Sequence, residues 1–127
     1  MSDTREGMTV THRRYVPYSH AHYAGYLVDG AYGLGLFGDV ATELCMRSDG
    51  DEGLFASYSD VQFKAPVRAG DVVEARATLT RVGTRSRTID FQLVVVARGR
   101  PEDSVSAAAM LDDPIVATTA TGTVVVP

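Results

Sequence analysis

The segment SHAHYAGYLVDGAYGLGLFGDVATE, Ser19 to Glu43, decides the fold. It is mostly apolar, yet it carries His20, His22, Asp29, Asp39, Glu43 and five glycines. From about Val28 to Arg47 the pattern reads as a helix. Inside a helix, each of Gly30, Gly33, Gly35 and Gly38 costs roughly 1 kcal/mol relative to alanine. Close packing is the expected offset, because a glycine lets another backbone or a ligand come near. The same helix sets Asp39 and Glu43 one turn apart, with both carboxylates on one face.

Outward from the helix the signals turn to strand. Thr9 to Val16 is β-prone and ends at Pro17, and Ser19 to Leu27 reads as a loop. The helix stops near Ser48, where SDGDEG supplies a turn. Leu54 to Lys64 is a strand candidate, and Pro66 to Gly70 is a tight connection. Asp71 to Val82 alternates, with Val73, Ala75, Ala77 and Leu79 on one face. After a turn at Gly83 to Ser86, Arg87 to Arg98 alternates again, with Ile89, Phe91, Leu93 and Val95 together. Gly99 to Asp113 reads as a polar loop, and Ile115 to Val126 as a closing strand. One nearly all-round apolar helix among antiparallel strands gives an α+β domain in which the sheet wraps the helix.

The chain's 127 residues, 45% of them apolar and 22% charged, make one ordinary globular domain over residues 1–127, with residues 1–7 as a flexible leader. A net charge of −4 argues against nucleic acid or an anionic membrane as the main partner. The single cysteine, Cys45, allows no disulfide within the chain. The start, MSDTREGMTV, lacks the pattern of a secretory signal, and no apolar run approaches the roughly 18 residues of a membrane span. The expectation is a cytoplasmic protein.

Four segments carry a resemblance: AHYAGYLVDGA (Ala21–Ala31), LFGDVATEL (Leu36–Leu44), DGDEGLFASY (Asp49–Tyr58) and APVRAGD (Ala65–Asp71). They resemble the 3-aminobutyryl-CoA and β-alanyl-CoA ammonia lyases, small enzymes with the hotdog fold, a curved sheet around a glycine-rich helix. The family usually reads GN where this chain has Gly25-Tyr26, GAR where it has Gly30-Ala31-Tyr32, and an acid where it has His20. The resemblance implies a lyase that interconverts a 3-aminoacyl thioester and a 2-enoyl thioester plus ammonia or an amine. The acyl carrier is CoA or a phosphopantetheine carrier, no further cofactor is implied, and the protein is a homodimer or larger with the site at its interface. Tyr26 and Tyr32, standing where the family has polar residues, imply a different acyl pocket. The alternatives are a hotdog acyl-CoA thioesterase and a non-catalytic acyl-thioester binder.

Eliminating ammonia next to a thioester needs a base, a stabiliser for the enolate oxygen and a group that handles the departing amine. The helix N-terminus around Asp29, Gly30 and Ala31 offers free N–H groups for the enolate. Asp39 and Glu43 suit the proton chemistry, since neighbouring like charges push one carboxyl pKa up. The alternative is a Glu43–Arg47 surface ion pair with Asp39 facing water. His22 precedes the helix and is an acid–base candidate near pH 7. Tyr23 either hydrogen-bonds a substrate oxygen or simply packs. Arg81, Arg85, Arg87, Arg98 and Arg100 gather around one hairpin, as a phosphate patch led by Arg85 and Arg87 or as a solvated hairpin. His12 falls on the polar face of its strand and is assigned no role. His20-x-His22 plus distant acids is a poor ligand pattern, and no metal site is expected.

Overall fold

The computed structural model describes residues 3–127. Strand β1 (Thr9–Tyr15) is followed by two short 3-10 turns (Tyr18–His20 and Ala24–Tyr26) that flank β2 (Ala21–Tyr23) and lead into β3 (Leu27–Val28). Helix α1 (Gly30–Asp49) comes next. Then follow β4 (Leu54–Phe63), β5 (Val67–Arg68), β6 (Val72–Val82), β7 (Ser86–Gly99) and β8 (Ala108–Val125). The main sheet runs β1-β6-β7-β8-β4, all antiparallel, and β2-β3-β5 forms a small second sheet. The expected architecture, a hotdog in which an antiparallel sheet wraps one central helix, is the architecture found.

Period-2 patterning places the core. Val73, Ala75, Ala77 and Leu79 of β6 and Ile89, Phe91, Leu93 and Val95 of β7 are all buried. They face Phe37, Val40, Ala41 and Leu44 of α1. Phe37 stacks on Phe91 with ring centroids 4.9 Å apart. Gly33 explains itself: a Cβ there would meet Leu93 Cδ2 at 2.8 Å. At Gly30 a Cβ would lie against the Phe63 ring. Gly35 and Gly38 have no neighbour within 4 Å of a would-be Cβ. The helix is therefore not covered on most sides within one chain. Ala31, Gly35, Asp39 and Met46 are exposed along an open face.

Three further expectations change. The leader is docked over its described part. Arg5 bonds Asp3 and Asp49, and the Gly7 N–H donates to the Leu79 carbonyl at 2.7 Å. These charged bonds hold the turn to the domain, and residues 1 and 2 lie outside the described residues. The Ser19–Leu27 loop and the Pro66–Gly70 connection each contribute short strands, because β3 pairs with both β2 and β5. The Gly99–Asp113 loop is shorter than its composition suggests. β8 starts at Ala108, pairing with Gly99, and a register break between Met110 and Ile115 absorbs Pro114.

Candidate active site

A cleft of about 640 Å³ opens at the N-terminus of α1. Tyr23, Asp29, Gly30, Tyr32, Phe63 and Lys64 are among its walls, with Leu93 and Thr118 deeper. The volume falls in the range of small-molecule sites. Asp29 is the helix cap, its Oδ1 accepting the Tyr32 N–H at 3.2 Å. The N–H groups of Gly30 and Ala31 have no intrahelical acceptor by position, so they point at the cleft with the positive end of the helix dipole. His22 Nδ1 lies 3.6 Å from Asp29 Oδ2. His20 tilts against Tyr32 with centroids 4.4 Å apart, and burial raises the Tyr32 phenol above its ordinary pKa.

The structure brings Tyr23, Asp29, Gly30 and Tyr32 together in the cleft wall, with His22 beside Asp29. Gly25 and Tyr26 stand beside the cleft and not in its wall. Both have left-handed backbone, φ 74° and 62°. Tyr26 meets Tyr18 edge to face at 5.7 Å and is 65% exposed.

Asp39 and Glu43 are not in the cleft of their own chain. Asp39 follows the cap by ten residues, about 15 Å along a helix. It is exposed and has no side-chain partner among the described residues. Glu43 is the opposite case. His12 Nε2 contacts its Oε1 at 2.9 Å and Arg47 Nε donates to its Oε2 at 2.8 Å. The His12 bond first, and the Arg47 bond second, hold its carboxyl below the usual range. A mutual upward push between Asp39 and Glu43 is therefore not the governing effect at Glu43; its donors outweigh the neighbouring acid.

The arginine patch is corrected. Arg87 is 5% exposed and forks onto Asp49 at 2.7 and 2.9 Å, and it also donates to the Gly83 and Ser86 carbonyls. Those bonds take four of its five N–H donors and hold the guanidinium buried, away from any phosphate. Arg98 is likewise committed, to buried Asp71 and the Pro66 carbonyl. Arg100 pairs with Asp103 at 2.9 Å. Arg85 is exposed on a shallow depression that also holds Asp51 and Glu52, whose charges disfavour an anion. The cation that does reach the cleft is Lys64, which sequence reasoning passed over as the end of a strand. Among the described residues no group of three or more His, Cys, Asp or Glu side chains is placed to hold a metal ion. No helix is long and apolar enough to cross a membrane.

Comparison with known proteins agrees with this geometry. The thioesterase superfamily model matches residues 25–101. A 3-aminobutyryl-CoA ammonia lyase from Acetoanaerobium sticklandii is 51% identical over 107 residues, 84% of this chain and 85% of that protein. The solved β-alanyl-CoA:ammonia lyase from Clostridium propionicum superposes with a TM-score of 0.89 at 36% identity, covering 95% of this chain and 86% of that one. A hexameric hotdog thioesterase of Campylobacter jejuni shares the fold, with a TM-score of 0.75 at 18% identity over 91% and 80% of the two chains.

Proposed function

The chain belongs to the thioesterase superfamily and, within it, to the family of 3-aminobutyryl-CoA and β-alanyl-CoA ammonia lyases, and on that premise we propose that it interconverts a 3-aminoacyl-CoA and a 2-enoyl-CoA plus ammonia. The observation that carries this is the helix-end cleft, where the free N–H groups of Gly30 and Ala31 meet the Asp29 carboxylate, with the His22 imidazole beside that carboxylate. The thioester oxygen sits on the Gly30 and Ala31 N–H groups. A carboxylate takes the proton from C2, and the electron pair moves into the enolate held by those donors. As the pair returns, the C3–N bond breaks and ammonia leaves as NH3. It then takes the proton from the carboxylic acid and departs as ammonium. Asp29, with His22 behind it, lies where the substrate's ammonium must sit. Each step is met by a side chain or a backbone group, so no cofactor beyond the CoA of the substrate is required.

The base is Asp39 from a second copy. Ala31, Gly35 and Asp39 recur every four residues along the open helix face. If two helices cross antiparallel about a twofold axis at Gly35, the positions symmetric about the crossing are Ala31 and Asp39. One protomer's carboxylate then stands beside the other's N–H groups. The bare helix face at Gly35 and Gly38 leaves room for that approach. The unpaired edge of β4, with Leu54 and Phe63 exposed, is a second surface that a partner would cover. The C. jejuni thioesterase, which shares the fold, is a hexamer, in keeping with assembly.

Crotonyl-CoA with ammonia tests the reaction. Loss of the enoyl absorbance without free thiol is the expected outcome. Thiol release identifies a thioesterase, for which the same oxyanion donors would serve. A monomeric mass by light scattering at micromolar concentration removes the two-copy site.

A further inference from the structure

The inner face of β1 contains an interruption. Residues Val10, His12, Arg14 and Val16 share one side of the extended chain, and Val10 and Val16 are buried. Core patterning calls for apolar residues at 12 and 14, and a histidine and an arginine stand there instead. His12 is therefore on the helix-facing side and not on the polar face that its neighbours suggested. Its side chain is mostly covered and reaches Glu43 at 2.9 Å. Arg14 Nη2 approaches His12 Nδ1 at 3.4 Å. An arginine can only donate, so Nδ1 accepts, and Nε2 carries the hydrogen that goes to Glu43. Arg14 also lies close enough to Tyr32 for its charge to oppose the burial-driven rise of that phenol. A chain of polar contacts thus leads from Arg14 through His12 to Glu43.

We propose that His12 is a positioning residue for the reaction, fixing the Glu43 carboxylate in one orientation beside Asp39. The proposal rests on the assignment of Asp39 to the proton chemistry and takes Glu43, one turn along the same helix face, as its neighbour there. Glu43 takes one donor on each oxygen, His12 on Oε1 and Arg47 on Oε2. A carboxylate held at both oxygens keeps its rotamer and its charge, while Asp39, one turn earlier, is left free to move a proton. The charged and titratable groups that face Glu43 are His12 from β1, with Arg14 behind it, and Asp39 and Arg47 from α1 itself.

The test compares His12→Gln with His12→Asn. Glutamine places an amide N–H where Nε2 is and can donate to Glu43; asparagine is too short to do so. Both are polar at a mostly covered position. With crotonyl-CoA and ammonia, His12→Asn is expected to lower kcat roughly 10- to 100-fold, as a misplaced group does, with KM changed by less than a few-fold. The acid limb of its kcat–pH profile moves to higher pH, because the Glu43 carboxyl returns toward its ordinary range once the donor is gone. His12→Gln recovers most of the lost kcat and the wild-type limb. If His12→Asn keeps the wild-type rate and limb and loses only thermal stability, His12 is a clip between β1 and α1 and the proposal fails. Equal impairment of both variants also overturns it. Glu43→Gln separates the two levels. If it turns over like wild type, the Glu43 assignment falls and takes this proposal with it. If it is impaired while His12→Asn is not, only the His12 proposal falls.

Discussion

Helix α1 has an aspartate at each end, and the two are treated in opposite ways. Asp49 sits in the last turn, where the helix dipole disfavours an anion. It is compensated fully: Arg87 forks onto it, Arg5 reaches it at 2.9 Å, and Ser48 donates at 2.7 Å. Asp29 caps the first turn, where the dipole favours it. One of its oxygens holds the Tyr32 N–H, and the other has only a half-exposed histidine at 3.6 Å. The favoured acid keeps bonding capacity in reserve at a cleft, and the disfavoured one has none left. Satisfaction of a charge, more than its presence, separates the structural end of this helix from the chemical end.

The largest effect that tests this contrast is on turnover. Asp39→Asn retains shape and removes the transferable proton, so kcat should fall on the order of 10²- to 10⁴-fold. Melting temperature should hardly move, because Asp39 has no partner to lose among the described residues. Wild-type turnover in that variant would return the proton chemistry to Asp29 and His22 of the same chain.

At the other end the expected effect is on stability. Arg87→Ala leaves Asp49 covered and short of its main partner, and should destabilise by about 3 kcal/mol, the scale of a broken buried pair. The Arg87 bonds hold the Asp49 carboxyl below its ordinary pKa. Their contribution is present above the unfolded carboxylate pKa and is lost as pH falls through the lower, folded one. Denaturant midpoints measured between pH 6 and pH 2 should therefore fall on acidification in wild type, and fall less in Arg87→Ala. Identical slopes would mean that the pair is not what Asp49 contributes.

Much of this was legible in the residues. The alternation of β6 and β7 named eight buried positions correctly, and the glycine-rich helix was found within about two residues at each end. The same alternation held a signal that went unread. Arg87 shares parity with Ile89, Phe91, Leu93 and Val95, so it had to face inward, and a buried arginine needs an acid. His12, in step with Val10 and Val16, carried a similar signal. What no spacing could reveal is which long-range partner each would find, Asp49 for one and Glu43 for the other. Nor could sequence say that Gly35 and Gly38 have nothing over them within the chain. The start of β8, residues 108–114, was hidden by a Gly/Pro/Asp composition that the register break at Pro114 tolerates.

A smaller effect is expected on selectivity at the chemical end. Tyr32 replaces the guanidinium usual in the family and closes one side of the cleft with a half-buried ring. Tyr32→Ala should widen the range of acyl chains accepted while lowering the rate on short chains by less than it raises that on longer ones. Steady-state profiles over a series of enoyl-CoA lengths would detect the change. Superimposable profiles would place the ring outside the substrate's path.

The smallest effect belongs to Tyr26, and it separates backbone fitness from side-chain use. Its φ of 62° is a conformation that asparagine adopts readily and a tyrosine does not. The resembling enzymes usually carry asparagine at this position, so the loop geometry suits their residue better than the one present here. Left-handed backbone costs a non-glycine residue roughly 1 kcal/mol. The edge-to-face contact with Tyr18 returns part of that, since such aromatic pairs contribute about 0.5–1.5 kcal/mol when well covered and less on a surface. Tyr26→Asn removes both terms, and the gain in backbone fitness should slightly exceed the lost contact, giving a rise in stability of a few tenths of a kcal/mol. Tyr18→Phe alone should leave stability unchanged, because the contact is between rings and not hydroxyls. If Tyr26→Asn is instead less stable than wild type, the Tyr18–Tyr26 pair outweighs the strain, and the tyrosine is there to hold the loop over the helix end. If it is more stable but its KM for CoA substrates rises, the strained tyrosine is retained for contact with substrate, which extends the chemical end of the helix outward to this loop.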